Sequence, residues 1–162
     1  MPNTITIRPM RLVDIEAVGA LAGRIWRQYY PGIISQAKIE YILELMYTPP
    51  SLREQMEKGH RFWLVSLNGV LTGYVSAEMQ GDVCYLHKLY VDPATHGRGL
   101  GRALLEKAIA EMRPKMMILG VNRGNIAAIN FYFQHGFRIV EIKDIPIGSG
   151  FFMEHFIMKR TL

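Results

Sequence analysis

The sequence predicts an α/β domain of alternating strands and helices, and three observations carry that expectation. An apolar strand, Val83 to Val91, passes through a glycine-rich turn directly into an amphipathic helix, Gly99 to Met112. Between two β-rich segments stands Asn68-Gly69, the strongest two-residue hairpin signal. The chain has 162 residues, 49% of them hydrophobic, a size at which one domain buries its own core; residues 1–162 are therefore expected to form a single domain, without repeat, low-complexity tract or linker.

In chain order, Thr4 to Arg8 alternates as a short strand. Leu12, Ile15, Val18, Leu21, Ala22 and Ile25 then recur at helical spacing, and the pattern breaks at Tyr29-Tyr30-Pro31-Gly32. Ser35 is placed to cap a second helix, Gln36 to Tyr47, because its hydroxyl accepts from an unpaired first-turn amide. After Pro49-Pro50 a short helix is expected from Leu52 to Lys58, stopped by Gly59. Phe62 to Leu67 and Val70 to Met79 are the hairpin strands, and Gly81-Asp82 turns the chain into Val83 to Val91. In the following helix Leu100, Leu104, Leu105, Ala108, Ile109 and Met112 face the sheet. Lys115 to Val121 reads as a buried strand and Asn125 to His135 as a helix with Gly136 as a left-handed cap. Phe137 to Ile142 and Phe151 to Lys159 form a closing antiparallel pair.

The joint between strand and helix reads His96-Gly97-Arg98-Gly99-Leu100-Gly101-Arg102. Glycines there allow left-handed dihedrals and a close approach of ligand to main chain. The first amides of the helix are unpaired and sit at its positive end, which suits a phosphate or pyrophosphate. Arg98 and Arg102 add positive charge. A Walker loop is excluded because no Lys followed by Ser or Thr stands in the required place. A dinucleotide fingerprint is excluded too, since position 102 is Arg and Met116 to Val121 carries no carboxylate.

This joint resembles the pyrophosphate-binding signature of the GNAT (general-control-related N-acetyltransferase) superfamily, Gln/Arg-x-x-Gly-x-Gly/Ala. His96 departs from it, standing where relatives have Gln or Arg. A second motif supports the resemblance: Asn125-Ile-Ala-Ala128-Ile-Asn130-Phe131-Tyr132-Phe-Gln-His-Gly136-Phe137 is similar to the superfamily's N-x-x-A-x-x-F-Y-x-x-x-G-F, one helix and one strand downstream. The resemblance covers roughly residues 60–162. It implies a mixed, mostly antiparallel sheet of six to seven strands with four to five helices, splayed where acetyl-CoA wedges in. Leu89, Tyr90 and Val91 would offer main-chain groups to pantetheine, and His96 to Arg102 would cradle the pyrophosphate, with Asn125 and Asn130 as further cofactor contacts.

The resemblance also implies chemistry. The Tyr matching Tyr132 protonates the departing thiolate of coenzyme A; a phenol and a thiol differ by only about 2 kcal/mol in proton affinity, which a site can erase. The attacking amine must lose a proton, directly or through water. Tyr85, His87, Leu89 and Val91 share one strand face by alternation. The family often carries a glutamate on this strand, where the present chain has Tyr85, so His87, the side chain on that face that titrates nearest neutrality, is the expected base or water-holder. Glu78 is the second choice, with Glu154 and His155 behind it, and a water chain alone is a further alternative.

For the acceptor, Trp26, Tyr29 and Tyr30 cluster at the loop that covers the substrate in relatives, and an aromatic wall suits a cation or a ring; ordinary helix packing explains them equally. Glu40 and Glu44 lie one turn apart and read as a solvated stripe or an amine-attracting pair. Five histidines show no metal-ligand spacing and a lone cysteine, Cys84, sits in an apolar strand as a structural thiol, so no metal is expected.

The formal net charge is +5, and between Lys88 and Arg123 seven basic residues face three acidic ones, a field suited to a polyanion such as coenzyme A. With no apolar run of membrane length and no signal-like start, a cytoplasmic setting is expected. The expected partners are acetyl-CoA and a small primary amine such as a polyamine, with neither nucleic acid nor membrane, and a homodimer is compatible with the chain. A protein or peptide acceptor, and a non-catalytic acyl-CoA sensor, remain alternatives.

Overall fold

The computed structural model describes residues 3–162. Strand β1 (Ile5–Pro9) leads through a 3-10 turn into α1 (Ile15–Tyr29), α2 (Gln36–Met46) and α3 (Pro49–Glu57). The hairpin strands β2 (Arg61–Leu67) and β3 (Val70–Gln80) follow, then β4 (Val83–Val91), α4 (Leu100–Met112), β5 (Met116–Asn122), α5 (Ile126–Gln134), β6 (Arg138–Gly148) and β7 (Phe151–Thr161). The sheet order is β1-β2-β3-β4-β5-β7-β6. The pairs β1/β2, β2/β3, β5/β7 and β6/β7 are antiparallel, whereas β4 and β5 pair in parallel from Val83↔Met116 to Leu86↔Leu119. A helical crossover, here α4, is what a parallel connection requires. The mixed, mostly antiparallel sheet with five helices is the expected fold.

The chain forms two compact units: one of residues up to Glu78 with Lys88–Met112, the other of Met79–His87 with Arg113–Leu162. In the first, α1 buries Val18, Leu21, Ala22, Ile25 and Trp26, α2 buries Ile39, Ile42 and Leu43, and α4 buries Leu100, Leu104, Leu105 and Ala108. Burial of such a side chain stabilises by roughly 1.5–3 kcal/mol, which outweighs intrinsic helix propensity. The entry to α1 is fixed by Asp14, whose carboxylate accepts from Arg8 at 2.7 and 2.9 Å and from the Arg11 amide at 2.8 Å. The Arg8 guanidinium holds the Asp14 carboxyl at about 2.

One boundary differs at α3, which begins at Pro49 and not at Leu52. Thr48 caps it, its hydroxyl accepting from the Ser51 amide at 3.4 Å. Prolines in the first turn lack only amides that would have no helical partner, so they start this helix where the sequence reading let them delay it.

In the second unit Cys84, Met117, Leu119, Val121 and Met158 are buried along β4, β5 and β7. Strand β6 runs to Gly148, six residues past the expected Ile142. Pro146 does not end it because β6 is the last strand of the sheet, and an edge strand tolerates a residue that cannot donate. Register shifts at Ile139/Glu141 and Pro146/Gly148 bracket its regular part.

Candidate functional site

In the first unit, β4 is followed by Asp92, whose carboxylate accepts from the Ala94 amide at 3.0 Å and from Arg24 at 3.1 Å. The chain then enters the loop with Gly97 at φ +82° and Gly99 at φ +78°, both left-handed and both with nothing within 4 Å of where a Cβ would stand. Gly101 instead lies inside α4. The Gly99 carbonyl accepts from the Ala103 amide at 3.0 Å, so a residue without a side chain occupies the capping position ahead of the first helical amides. A helix start of this kind, with unpaired amides and no side chain at the cap, is compatible with an anion.

His96 does not reach away from this loop. Its Nε2 lies 2.9 Å from the Val91 carbonyl, so the ring ties the loop back to the strand end, and Tyr29 sits edge-on to it at 6.2 Å. One of the main-chain acceptors expected for a ligand is therefore occupied by His96. Arg98 is exposed and unpaired among the described residues, whereas Arg102 pairs with Glu106 at 2.8 Å. The basic excess between Lys88 and Arg123 is thus largely neutralised locally: Lys107 pairs with Glu111, Lys115 with Asp82, and Arg123 with Asp144 and Glu154.

Trp26 and Tyr30 are buried in a cluster that the sequence showed only in part. Trp26 lies 4.3 Å from the Tyr30 ring, 5.3 Å from Tyr90 and 5.9 Å from Tyr47. The hydroxyls of Tyr30 and Tyr90 are 3.2 Å apart, and Tyr74 donates to Tyr47 at 3.0 Å. Burial raises the Tyr47 and Tyr74 phenols well above their usual value. Lys88 is buried beside them; it donates to Gln55 Oε1 at 2.6 Å and lies over the Tyr47 and Phe62 rings. Desolvation lowers its ammonium to about 8. Sequence reading missed Tyr47, Tyr74, Tyr90's ring and Lys88 because they come from the end of α2, from β3 and from β4, which are far apart in the chain; the available signal was a lysine at an inward register position of an apolar strand.

Glu78 is half-buried, with His60 Nε2 at 3.6 Å from its carboxylate. His87 is exposed on β4. Glu40 is engaged by Arg27 at 2.9 Å, while Glu44 is unpaired among the described residues. Together they edge a groove of about 310 Å³ between α1 and α2, floored by Gly19 and Gly23 and backed by Tyr47.

In the second unit Asn125 is buried as the N-cap of α5, its Oδ1 accepting from the Ala128 amide at 3.3 Å. Tyr132, two turns along, is 8% exposed and packs on Phe131 and Phe137 at 5.3 and 5.5 Å. Asn130 is exposed. Gly136 closes the helix at φ +85°. Arg123, just before the cap, donates to Asp144 at 2.7 Å. Among the described residues no helix is long and apolar enough to cross a membrane.

Comparison with known proteins agrees with this geometry. The model of the acetyltransferase (GNAT) family matches residues 17–137. The chain is 27% identical to spermidine N(1)-acetyltransferase of Thermoplasma acidophilum over 159 residues, covering 93% of this chain and 96% of that one. It is 34% identical to the peptidyl-lysine N-acetyltransferase YiaC of Escherichia coli over 92 residues, covering 57% and 60%. Among solved structures, the PaiA N-acetyltransferase of Thermoplasma acidophilum in complex with coenzyme A superposes with a TM-score of 0.83 at 25% identity, over 98% of this chain and 99% of that one.

Proposed function

The chain belongs to the acetyltransferase (GNAT) family and is an N-acetyltransferase that uses acetyl-CoA; from that premise we propose that it acetylates a primary amine of a small molecule, a polyamine or similar compound, by direct attack in a ternary complex. The observation that carries the choice of acceptor is the likeness to a spermidine acetyltransferase along nearly the whole of both chains. That likeness extends over 93% of this chain, whereas the likeness to the peptidyl-lysine enzyme covers 57% of it.

The residues fit the cosubstrate: the left-handed Gly97 and Gly99 open onto free space, Gly99 also stands at the helix cap, and Arg98, unpaired among the described residues, lies between them. In this reading the amides from Gly97 to Arg102 receive the pyrophosphate, and Leu89, Tyr90 and Val91 orient the pantetheine, with Asn125 and Asn130 as further contacts. Acetyl-CoA supplies the acetyl group as a thioester. His87 accepts the proton that the amine loses as its nitrogen bonds the carbonyl carbon, with Glu78 or water as the substitutes. Tyr132 gives its hydroxyl proton to the sulfur as the carbon–sulfur bond breaks. Trp26, Tyr29 and Tyr30 wall the acceptor, and residues 1–162 act as one domain in a cytoplasmic setting.

The test is thiol release from acetyl-CoA against polyamines, aminoglycosides, amino acids and lysine peptides, with Tyr132→Phe beside the wild type. We expect a polyamine or related amine to give the highest kcat/KM, and Tyr132→Phe to lower kcat and kcat/KM together by about 10²- to 10⁴-fold with acetyl-CoA affinity nearly constant. Preference for peptides would transfer the acceptor to proteins. Wild-type turnover by Tyr132→Phe, with chemistry limiting, would remove the proton donor.

A further inference from the structure

Strand β5 reads Met116-Met117-Ile118-Leu119-Gly120-Val121-Asn122, and a glycine interrupts its apolar run. A glycine inside a strand costs backbone entropy and packs nothing, so it marks a place where another group needs the room. No turn calls for Gly120, since its φ is not positive. What takes the room is an imidazole. The atoms nearest to where a Cβ of residue 120 would stand are those of His155: Cγ at 3.2 Å, Cε1 at 3.1 Å and Nδ1 closer still, well inside van der Waals contact. The ring therefore lays its Nδ1 edge on β5, and Nε2 belongs to the edge turned away from the glycine.

All of this lies in the second unit. In the antiparallel ladder of β5 and β7, His155 stands opposite Asn122, and Ile157 opposite Gly120. The His155 ring thus leans back along β5 by two residues, toward the end of the parallel ladder of β4 and β5 at Leu86↔Leu119. The next residues on those two strands are His87 and Gly120. By two-residue alternation both stand on the face opposite the buried Leu86, Leu119 and Val121, and His155 shares that face through its partner Asn122. One strand face therefore carries two imidazoles with a residue lacking a side chain between them. The backbone under the ring is held by Arg123, whose Nη1 donates to the His155 carbonyl at 3.4 Å and whose amide donates to the Glu154 carbonyl at 2.9 Å. The charged groups that β6 presents to this part of β7 are Lys143, opposite His155, and Glu141, opposite Ile157.

We propose that His155 is an acceptor-binding residue: its Nε2 accepts a hydrogen bond from the incoming amine and holds that nitrogen beside His87, and residue 120 is glycine so that the ring can lie where it does. The proposal rests on the amine-acetylation reading and names a contact within it. An amine attacks in its neutral form, with its lone pair turned to the carbonyl carbon, so its N–H groups are what the protein can hold. A neutral imidazole with its proton on Nδ1 offers Nε2 as the acceptor for one of them. His87 then takes the proton released as the carbon–nitrogen bond forms. Two contacts are needed because a primary amine turns freely about its carbon–nitrogen bond, and the second fixes the direction of attack. An imidazole also suits this task better than a carboxylate, which would favour the protonated amine, a form with no lone pair to attack.

The experiment is steady-state thiol release from acetyl-CoA with spermidine as the probe amine, on the full chain and its variants His155→Ala, His155→Gln, Gly120→Ala and Gly120→Ala/His155→Ala. We expect His155→Ala to raise KM for spermidine about tenfold, the effect of one lost hydrogen bond, with KM for acetyl-CoA unchanged. His155→Gln brings an amide oxygen to the reach of Nε2 and should recover most of that loss. Gly120→Ala pushes the ring off β5 and should resemble His155→Ala although residue 155 is intact, whereas in the His155→Ala background the same change should add little. Circular dichroism checks that each variant is folded. A wild-type KM for spermidine in His155→Ala, or a KM that rises equally for both substrates, would overturn the proposal. A folded Gly120→Ala with wild-type kinetics would refute the seat on β5, and a glutamine variant no better than alanine would refute the hydrogen bond. If the wild type releases thiol with neither spermidine nor any other amine, the amine-acetylation reading itself fails and takes this inference with it.

Discussion

Lys88 offers the sharpest test of the packing in the first unit. Its side chain is 7% exposed, carries one hydrogen bond to Gln55 Oε1 at 2.6 Å and is held at about 8 against an ordinary 10.5. The cause is desolvation: the strand places an ammonium among Tyr47 and Phe62, where the charged form has lost water and gained a single acceptor. Because the folded value lies below the unfolded one, the unfolded chain binds more protons between pH 8 and 10.5, so this group makes stability rise with pH across that window. Below pH 8 both states are charged and the cost is constant. The full difference corresponds to about 3 kcal/mol, and about 2 kcal/mol of it falls between roughly pH 7 and 9.5. Lys88→Met keeps the stem and removes the titration. Urea unfolding of both proteins at several pH values in that range gives the difference directly, and subtraction cancels the tyrosines and surface groups they share. The wild type should gain on the variant by about 2 kcal/mol as pH rises from roughly 7 to 9.5. Parallel curves would mean that Lys88 is solvated in the folded protein and that the cluster is looser than described.

Gly99→Glu should abolish acetyl-CoA binding in calorimetry, since it puts a carboxylate into the cradle, while Gly59→Glu, with a similar backbone at φ +99° and free space, should bind normally; equal affinities would remove the pyrophosphate assignment. His87→Ala should flatten the acid limb of kcat/KM while KM for acetyl-CoA stays unchanged, and an unaltered pH profile would move the role to Glu78 or water. Asp14→Asn should cost about 2 kcal/mol near neutral pH. In the wild type that contribution is present above 3.8 and is lost as pH falls through about 2, because the folded carboxyl is depressed; a variant as acid-sensitive as the wild type in chemical unfolding would contradict the Arg8 pairing.

The glycine loop from Gly97 to Gly101 was legible because its signal is local. Glycine spacing determines which dihedrals the backbone can reach, and a strand-to-helix joint presents its amides wherever it folds. His96 shows where locality ends: the residue was visible as a departure from the motif, but its bond to the Val91 carbonyl depends on how the loop folds back on the strand. Asn125 could be read as a cap from neighbouring positions alone, whereas the burial of Tyr132 required Phe137 to return against it. Charge counting was the weakest guide, since a sum over a segment cannot tell that Arg102, Lys107, Lys115 and Arg123 each have acidic partners.

By itself the sequence determined the order and type of the elements, the family motifs, the glycine-rich loop and the capping residues, because periodicity, glycine freedom and short-range hydrogen bonds act over a few residues. Only the tertiary structure decided that Trp26, Tyr30, Tyr47, Tyr74 and Tyr90 form one cluster with Lys88 over its Tyr47 ring, and that β6 runs past Ile142 as the last strand of the sheet. Those features depend on which distant residues are brought into contact, and desolvation and edge exposure exist only once the chain has chosen its neighbours.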